Sequence, residues 1–215
     1  MNKEFVFVCS LSILLPLIAG IIRFKKISES YYPLLVLLAI GLANELICYF
    51  LFSDKSNAIP TNIYYLIEAL MLVWQFRSWR NVLKDKRVYQ SLQTALVIAW
   101  VIDKIVLKNL HQFTLYFTVL SSLIIVLLSV NQLNWLITND RKKLIRNPIF
   151  IICNAIVFYF SYQVMAEVFY YFAPEQTLKK DIFGILVYVN LAYNIFLFIA
   201  ILCIPPKRTF LKPLL

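Results

Sequence analysis

The chain has 215 residues, of which 61% are hydrophobic and 15% are charged, and its mean hydropathy is +0.76. Soluble domains are about 45–50% apolar and about 25% charged, and a soluble globule of this size exposes too much surface to hide such an excess. Soluble, disordered and disulfide-scaffold classes are therefore excluded in favour of an integral membrane protein. The formal charge of +10 would suggest nucleic acid in a soluble protein. Beside apolar segments it indicates basic loops that flank membrane spans, and we expect no nucleic-acid partner.

Seven apolar segments are close to the length of about 20 residues that a helix needs to cross a bilayer. They cover about residues 5–22, 31–52, 61–79, 88–107, 113–137, 148–172 and 182–204. Pro33, Pro60 and Pro148 stand at segment starts, where the missing N–H costs little. The sequence predicts an all-α polytopic protein, a single seven-transmembrane-helix bundle over residues 1–215 with no soluble domain.

The basic residues between these segments are divided unequally between the two sides. Fifteen fall on one side: Arg23, Lys25, Lys26, Arg77, Arg80, Lys84, Lys86, Arg87, Arg141, Lys142, Lys143, Arg146, Lys207, Arg208 and Lys212. Five fall on the other side: Lys3, Lys55, Lys108, Lys179 and Lys180. Because Lys and Arg favour cytoplasmic loops, we expect the N-terminus outside, the C-terminus in the cytoplasm, and a location in the cytoplasmic (inner) membrane.

Polar side chains at membrane depth are the candidate functional residues, since ionisable groups there are costly. The candidates for binding a ligand or a proton are Asn44, Glu45, Asn62, Tyr65, Glu68, Gln163, Glu167 and Asn190. At 1.5 Å per residue, Glu45, Glu68, Glu167 and Asn190 lie roughly 8–12 Å below the outer ends of their spans. A shared depth is what an outward-open pocket requires. The alternative is that the Asn and Tyr side chains only join helices by hydrogen bonds.

The spacing of polar residues along the third span predicts which face of that helix points into the bundle. Asn62, Tyr65, Glu68, Leu72 and Gln75 recur at intervals of three and four, which predicts one stripe facing the bundle interior. Asp103 and Lys104, near the end of the fourth span, are instead expected to snorkel to the outer interface.

The sequence lacks the residues that several kinds of membrane-protein chemistry require. The segment 182–204 has no lysine for a retinal-type linkage, and one histidine and three glycines do not suit a metal-dependent hydrolase or a glycine-rich phosphate loop. The four cysteines lie in apolar runs without a CxxC pair. We therefore expect no metal, no cofactor and no catalytic residue.

Three stretches together resemble a known group of proteins. They are Asn62-Ile63-Tyr64-Tyr65-Leu66-Ile67-Glu68, then Arg146-Asn147-Pro148-Ile149-Phe150-Ile151 followed by Phe158-Tyr159-Phe160-Ser161, and Asn190-Leu191-Ala192-Tyr193-Asn194. The pattern resembles uncharacterised small seven-helix membrane proteins of Bacteroidota. Many of these have a Trp where this chain has Ile151. The resemblance implies a bacterial source and a seven-helix topology, and it implies no activity.

Three functions remain open on these residues. The first is a sensor or receptor-like module, in which a small extracytoplasmic ligand or a lipid occupies the outer pocket and a cytoplasmic or membrane protein partner reads the change. The second is a small proton-coupled transporter using Glu45 or Glu68. The third is an intramembrane enzyme or assembly factor. The acids cluster in the outer half, whereas a transporter needs access from both faces, so the sequence favours the sensor.

Overall fold

A computed structural model describes residues 3–52, 57–79, 83–112, 115–139, 144–172 and 176–206. The regular elements in these ranges are helical, so the predicted all-α class is confirmed. The helices are α1 (Lys3–Ser10), α2 (Leu14–Arg23), α3 (Tyr32–Leu51), α4 (Ala58–Ser78), α5 (Lys86–Val101), α6 (Leu115–Asn139), α7 (Pro148–Phe172) and α8 (Gln176–Cys203). A single 3-10 turn, Leu11–Ile13, joins α1 to α2, and five residues of π-helix, Ile102–Val106, continue α5.

Five helical segments are long and apolar enough to cross a membrane. They are Glu4–Ile22, Glu29–Leu51, Leu115–Asn139, Pro148–Phe172 and Gly184–Cys203. Their length and apolar composition suit a membrane protein. The two other predicted spans, α4 and α5, are not long and apolar enough to be counted with these five. The first carries buried polar side chains, including Asn62, Glu68 and Gln75, and the α-helical part of the second has only 16 residues.

The helices form a closed ring. The first segment, made of α1 and α2, packs against the last helix, α8. Along the ring α2 lies on α3 and α8, α3 lies on α4, α6 lies on α7, and α7 lies on α8. Helix α4 also contacts both α5 and α6. The predicted inward stripe on α4 is confirmed, since Asn62, Glu68, Leu72 and Gln75 are buried. A helix covered by protein on several sides tolerates polar residues that lipid would not.

Different side-chain hydrogen bonds hold the helices together at the two ends of the bundle. At the end where α2 finishes and α3 begins (the α2–α3 end), the Arg23 guanidinium donates to the carbonyl oxygens of Ile201, Leu202 and Ile204, the last turn of α8. A cation suits a helix C-terminus because its last carbonyl groups lack partners within the helix. At the opposite end (the α3–α4 end), α3 finishes, α4 begins, and the α5–α6 connection lies beside the start of α4.

Candidate functional site

A cavity between the first segment and α3, α4, α7 and α8 brings together three of the predicted site residues. We call it the Glu45–Glu68 cavity. Its walls are Ser10, Ile13, Leu34, Leu37, Leu38, Gly41, Glu45, Tyr64, Glu68, Tyr159, Asn190, Tyr193, Asn194 and Leu197. Glu45, Glu68 and Asn190, chosen from sequence by similar depth, lie on its wall together. Their role in binding stays a prediction.

The two carboxyl groups are held by neutral hydroxyl donors. The Tyr64 hydroxyl donates to Oε1 of Glu68 at 3.2 Å, one helical turn away on α4. Glu45, on α3, has a side-chain hydrogen bond with Ser10 of the first segment. Glu68 is buried and Glu45 is half-buried. Among the described residues, neither carboxyl group forms an ion pair with a Lys, Arg or His side chain. The wall therefore carries two acids without a cationic neighbour in contact.

Helices α7 and α8 supply the opposite wall. The rings of Tyr159 and Tyr193 stack with centroids 4.7 Å apart, and this contact joins the two helices beside the carboxyl groups. Asn194 donates from Nδ2 to the Ser12 hydroxyl at 2.8 Å, a buried bond between the last helix and the first segment. Hydroxyl and amide groups of α7 and α8 thus line the same cavity as the acids, which suits a polar solute.

The part of the cavity nearer the α2–α3 end is apolar. Leu34, Leu37 and Leu38 of α3 and Leu197 of α8 are all buried there. The cavity volume is about 70 Å³. An engineered cavity of about 150 Å³ holds benzene, so this space accommodates a few water molecules or a solute of a few heavy atoms.

A second polar group, the Lys104 cluster, consists of Asp103, Lys104 and Glu167. Lys104 and Asp103 are 1% and 3% exposed, and Nζ of Lys104 lies 3.1 Å from Oδ2 of Asp103. The expectation that both residues snorkel to the interface is therefore wrong. Asp103 also accepts hydrogen bonds from the backbone N–H of Phe117, in the first turn of α6, and from the side chain of Asn109. Glu167 of α7 lies within electrostatic reach of Lys104.

The other predicted site residues lie off the cavity wall. Asn62 donates from Nδ2 to the carbonyl oxygens of Leu110 and Gln112 at 2.9 and 3.0 Å, and so holds the α5–α6 connection against α4. Asn44, on α3, accepts a weak hydrogen bond from the Cys48 thiol one turn later. The contacts of Asn62 suit the helix-joining role that the sequence left open, whereas the bond of Asn44 lies within α3 itself.

Tyr65 and Gln163 form a hydrogen-bonded pair near the cavity acids and Glu167 of the Lys104 cluster. Their side chains share a hydrogen bond, and Tyr65 lies within electrostatic reach of Glu45, Glu68 and Glu167. Gln163 is buried, and its Oε1 atom has no hydrogen-bond partner in the part of the chain that the structure describes.

Several wall residues, among them Tyr64 and Ser10, were not among the predicted site residues. The i, i+4 spacing of Tyr64 and Glu68 would have indicated a contact, but Tyr64 lies outside the stripe through Asn62 and Tyr65. Ser10 was overlooked because it stands in an otherwise apolar run. Across the described residues, no group of three or more His, Cys, Asp and Glu side chains is placed to hold a metal ion.

Searches against protein-family models, curated proteins and solved structures find no match for this chain. The proposals below accordingly rest on the geometry of the chain itself.

Proposed function

We propose that this chain is a seven-helix sensor or receptor-like protein of the bacterial cytoplasmic (inner) membrane. A small extracytoplasmic ligand occupies the Glu45–Glu68 cavity, and the packing of the helices responds. A cytoplasmic or membrane protein partner reads the response at the basic loops. In this proposal the N-terminus and the α3–α4 end are outside, and the α2–α3 end faces the cytoplasm.

The seven-span topology is supported by the surroundings of α4 and by the length of α5. Helix α4 contacts α3, α5 and α6, so its polar residues need not meet lipid. Helix α5 and its π-helical continuation run without a break from Lys86 to Val106, a length of roughly 30 Å at 1.5 Å per residue. The proposed orientation rests on the basic residues. Of these, Lys55, Arg80, Arg141, Lys142, Lys143, Lys207, Arg208 and Lys212 lie outside the described residues.

The topology is testable by cysteine labelling in intact cells. The four native cysteines, Cys9, Cys48, Cys153 and Cys203, are replaced by serine or alanine, and single cysteines are introduced at Asn57 and Lys84. A membrane-impermeant maleimide should label residue 57 from outside and residue 84 only after the cells are opened. Labelling of residue 84 in intact cells contradicts the proposed orientation.

The sensor function rests chiefly on Gln75, which couples the cavity to the α2–α3 end. Gln75 follows Glu68 by seven residues on the same face of α4. Its Nε2 donates to the carbonyl oxygen of Ser30 at 2.6 Å, and its Oε1 accepts from the backbone N–H of Leu34 at 2.9 Å. Because Leu34 also lines the cavity, a movement of α4 at Glu68 would be passed directly to the start of α3.

The apolar floor of the cavity favours binding over transport. A carrier needs a polar route that continues toward the second face, whereas the described wall residues in that direction are leucines. A sensor needs the ligand to reach the cavity from one side only. This floor is the feature by which the sensor is preferred to the transporter.

A distance measurement tests the sensor. Lys25 and Lys84 are exposed at the α2–α3 end, and spin labels at these positions in the cysteine-free chain report their separation in lipid nanodiscs. Glu68→Gln removes ionisation while keeping the shape of the side chain. The sensor predicts that Glu68→Gln shifts the distance distribution between the labels. The matched control is Glu4→Gln, which alters an exposed carboxyl group at the far end of the first helical segment from residue 25 and should leave the distribution unchanged.

An identical distribution in wild type and Glu68→Gln would count against the sensor. The carboxyl group would then be a local packing residue that joins helices. A circular-dichroism spectrum of each variant confirms that any shift comes from folded protein.

A further inference from the structure

The two carboxyl groups of the Glu45–Glu68 cavity point to a positively charged occupant. Each carboxyl group receives one hydrogen bond from a neutral hydroxyl, Tyr64 for Glu68 and Ser10 for Glu45. An ionised carboxylate has about four lone-pair sites, so each acid keeps acceptor capacity toward the cavity. Buried charges in proteins are normally paired, yet no described cationic side chain lies within ion-pair distance of either acid.

The ligand set disfavours a metal ion. Calcium takes about 6–8 oxygen ligands and magnesium demands octahedral geometry. The cavity offers two carboxyl groups, and no metal-binding group of acids, histidines and cysteines occurs in the described ranges. A primary ammonium group needs fewer ligand atoms than either metal ion. It has three N–H donors, no acceptor and a single positive charge.

The wall carries the kinds of polar atom that an ammonium group binds. The three N–H donors of that group correspond in number to three acceptors among the wall residues, which are the carboxyl groups of Glu45 and Glu68 and the amide oxygen of Asn190. The stacked rings of Tyr159 and Tyr193 also line the cavity, and aromatic faces attract cations at close range. The polar half of the cavity therefore offers both oxygen acceptors and π-electron density to one small cation.

The apolar floor and the volume limit the rest of the ligand. Leu37, Leu38 and Leu197 suit a short alkyl group. The volume of about 70 Å³ is about half of the cavity that holds benzene, which excludes a bulky quaternary ammonium ion from full enclosure. An alkyl chain of one to three carbons fills the remaining space.

We propose that the Glu45–Glu68 cavity binds a small primary alkylammonium ion, with its ammonium group between the two carboxyl groups and its alkyl chain on the leucine floor. This inference rests on the proposed function, because it names the ligand class of the same site.

Thermal unfolding of the full chain in lipid nanodiscs at pH 8 tests the ligand class. Ethylammonium chloride is titrated against sodium chloride at equal ionic strength and against ethanol, a neutral molecule of the same length. A ligand that binds only the folded state raises Tm with concentration. We expect a saturable rise of several degrees with ethylammonium and no saturable rise with sodium chloride or ethanol. No rise with ethylammonium, or an equal rise with either control compound, overturns the proposal.

Variants locate the binding. Glu68→Gln and Glu45→Gln should each weaken ethylammonium binding, measured by calorimetry, at least tenfold. Glu29→Gln, which alters an exposed carboxyl group at the other end of the bundle, should change it less than twofold. Gly41→Ala narrows the same cavity without changing its charge and should also weaken binding, so the test survives if a carboxyl variant fails to fold. Equal loss in Glu29→Gln, or unchanged binding in Gly41→Ala and both carboxyl variants, overturns the proposal.

The two experiments distinguish failure of the proposed ligand class from failure of the proposed sensor function. If ethylammonium does not bind but Glu68→Gln still shifts the distance between labels at residues 25 and 84, the ligand class is overturned and the sensor stands. If ethylammonium binds as expected but the distance is insensitive to Glu68→Gln, the ligand class stands and the sensor fails.

Discussion

Lys104 and Asp103 are neighbours in the chain, and both are buried with the Lys104 Nζ atom 3.1 Å from Oδ2 of Asp103. Successive residues of a regular α-helix point about 100° apart, since one turn takes 3.6 residues. Here both residues belong to the π-helical segment Ile102–Val106, whose wider turn allows both to face the protein interior. Such single-turn π segments occur often at functional positions in helices.

Removal of the lysine charge should strongly destabilise the fold. In Lys104→Met the carboxylate of Asp103 loses its buried cation. Loss of one member of a buried pair costs about 3–5 kcal/mol, and we expect the free energy of unfolding to fall by that amount. Unfolding in mixed micelles, followed by tryptophan fluorescence, measures the change. Lys108→Met, at an exposed position, should stay within about 0.5 kcal/mol of wild type. Equal losses in the two variants would contradict a buried ion pair.

Asn62 should hold the α5–α6 connection in place. Asn62→Ala removes the donor shared by the carbonyl oxygens of Leu110 and Gln112, and we expect a loss of about 1–3 kcal/mol. Amide hydrogen exchange over residues 104–112 should quicken. Asn154 is exposed and bonds to Phe150 of its own helix, so Asn154→Ala is the matched control and should be nearly silent. Unchanged exchange in Asn62→Ala would contradict the clamp.

Gly41 should set the room available in the Glu45–Glu68 cavity. A Cβ atom at residue 41 would lie 2.8 Å from Cδ1 of Ile13 and 3.2 Å from the Tyr64 hydroxyl. We expect Gly41→Ala to displace both side chains and to cost about 1–3 kcal/mol of stability, as overpacked cores do. A Cβ atom at Gly184 would instead meet no other atom within 4 Å. Gly184→Ala should therefore be neutral or stabilise its helix by up to about 1 kcal/mol. Thermal unfolding of both variants makes the comparison.

Gln75 should be required for the coupling between the two ends. Gln75→Leu keeps the volume of the side chain and removes its bonds to Ser30 and Leu34. In this background, Glu68→Gln should no longer shift the distance between spin labels at residues 25 and 84. A shift of wild-type size would show that another route carries the change.

Arg23 should stabilise the bundle through the end of α8. Arg23→Met leaves the carbonyl oxygens of Ile201, Leu202 and Ile204 without their cationic donor, and hydrogen bonds to a charged group contribute about 1.5–3 kcal/mol each. Because Arg23 is only half-buried and water can replace part of its donation, we expect a total loss of about 2–3 kcal/mol in the free energy of unfolding, and faster hydrogen exchange over residues 198–204. Lys25→Met, at an exposed position, should change neither. An undisturbed α8 end in Arg23→Met would contradict the contact.

Much of the helical layout could be predicted from the sequence because apolar runs and prolines mark helix limits directly. The segment predicted over 148–172 is the helix Pro148–Phe172, and that predicted over 31–52 is Tyr32–Leu51. The fourth segment was predicted as one helix over 88–107, whereas the α-helix ends at Val101 and a π-helix follows. Apolar periodicity does not reveal this change, since Ile102, Ile105 and Val106 continue the apolar run on both sides of the two charged residues.

The candidate site was predictable in part. Depth along a helix follows from counting residues, and it brought Glu45, Glu68 and Asn190 to one level. Which faces meet does not follow from counting, because it depends on the order and rotation of the helices around the ring. Glu167 therefore joined the Lys104 cluster although its depth matched. Asp103 and Lys104 were misplaced for a related reason, since their burial depends on α6 and α7, which are far away in sequence.

The contact between Arg23 and the end of α8 also has a consequence for biogenesis. The two partners are 178 to 181 residues apart in the chain. Domains are synthesised at about 5–20 residues per second, so the ribosome needs roughly 10 to 35 s to make the second partner after the first. Throughout that interval the first helical segment stands in the bilayer without the helix that covers its flank. The ring is thus completed only when α8 has been made. A nascent chain arrested before α8 would expose the faces of α2 and α7 that α8 covers to the insertion and quality-control machinery.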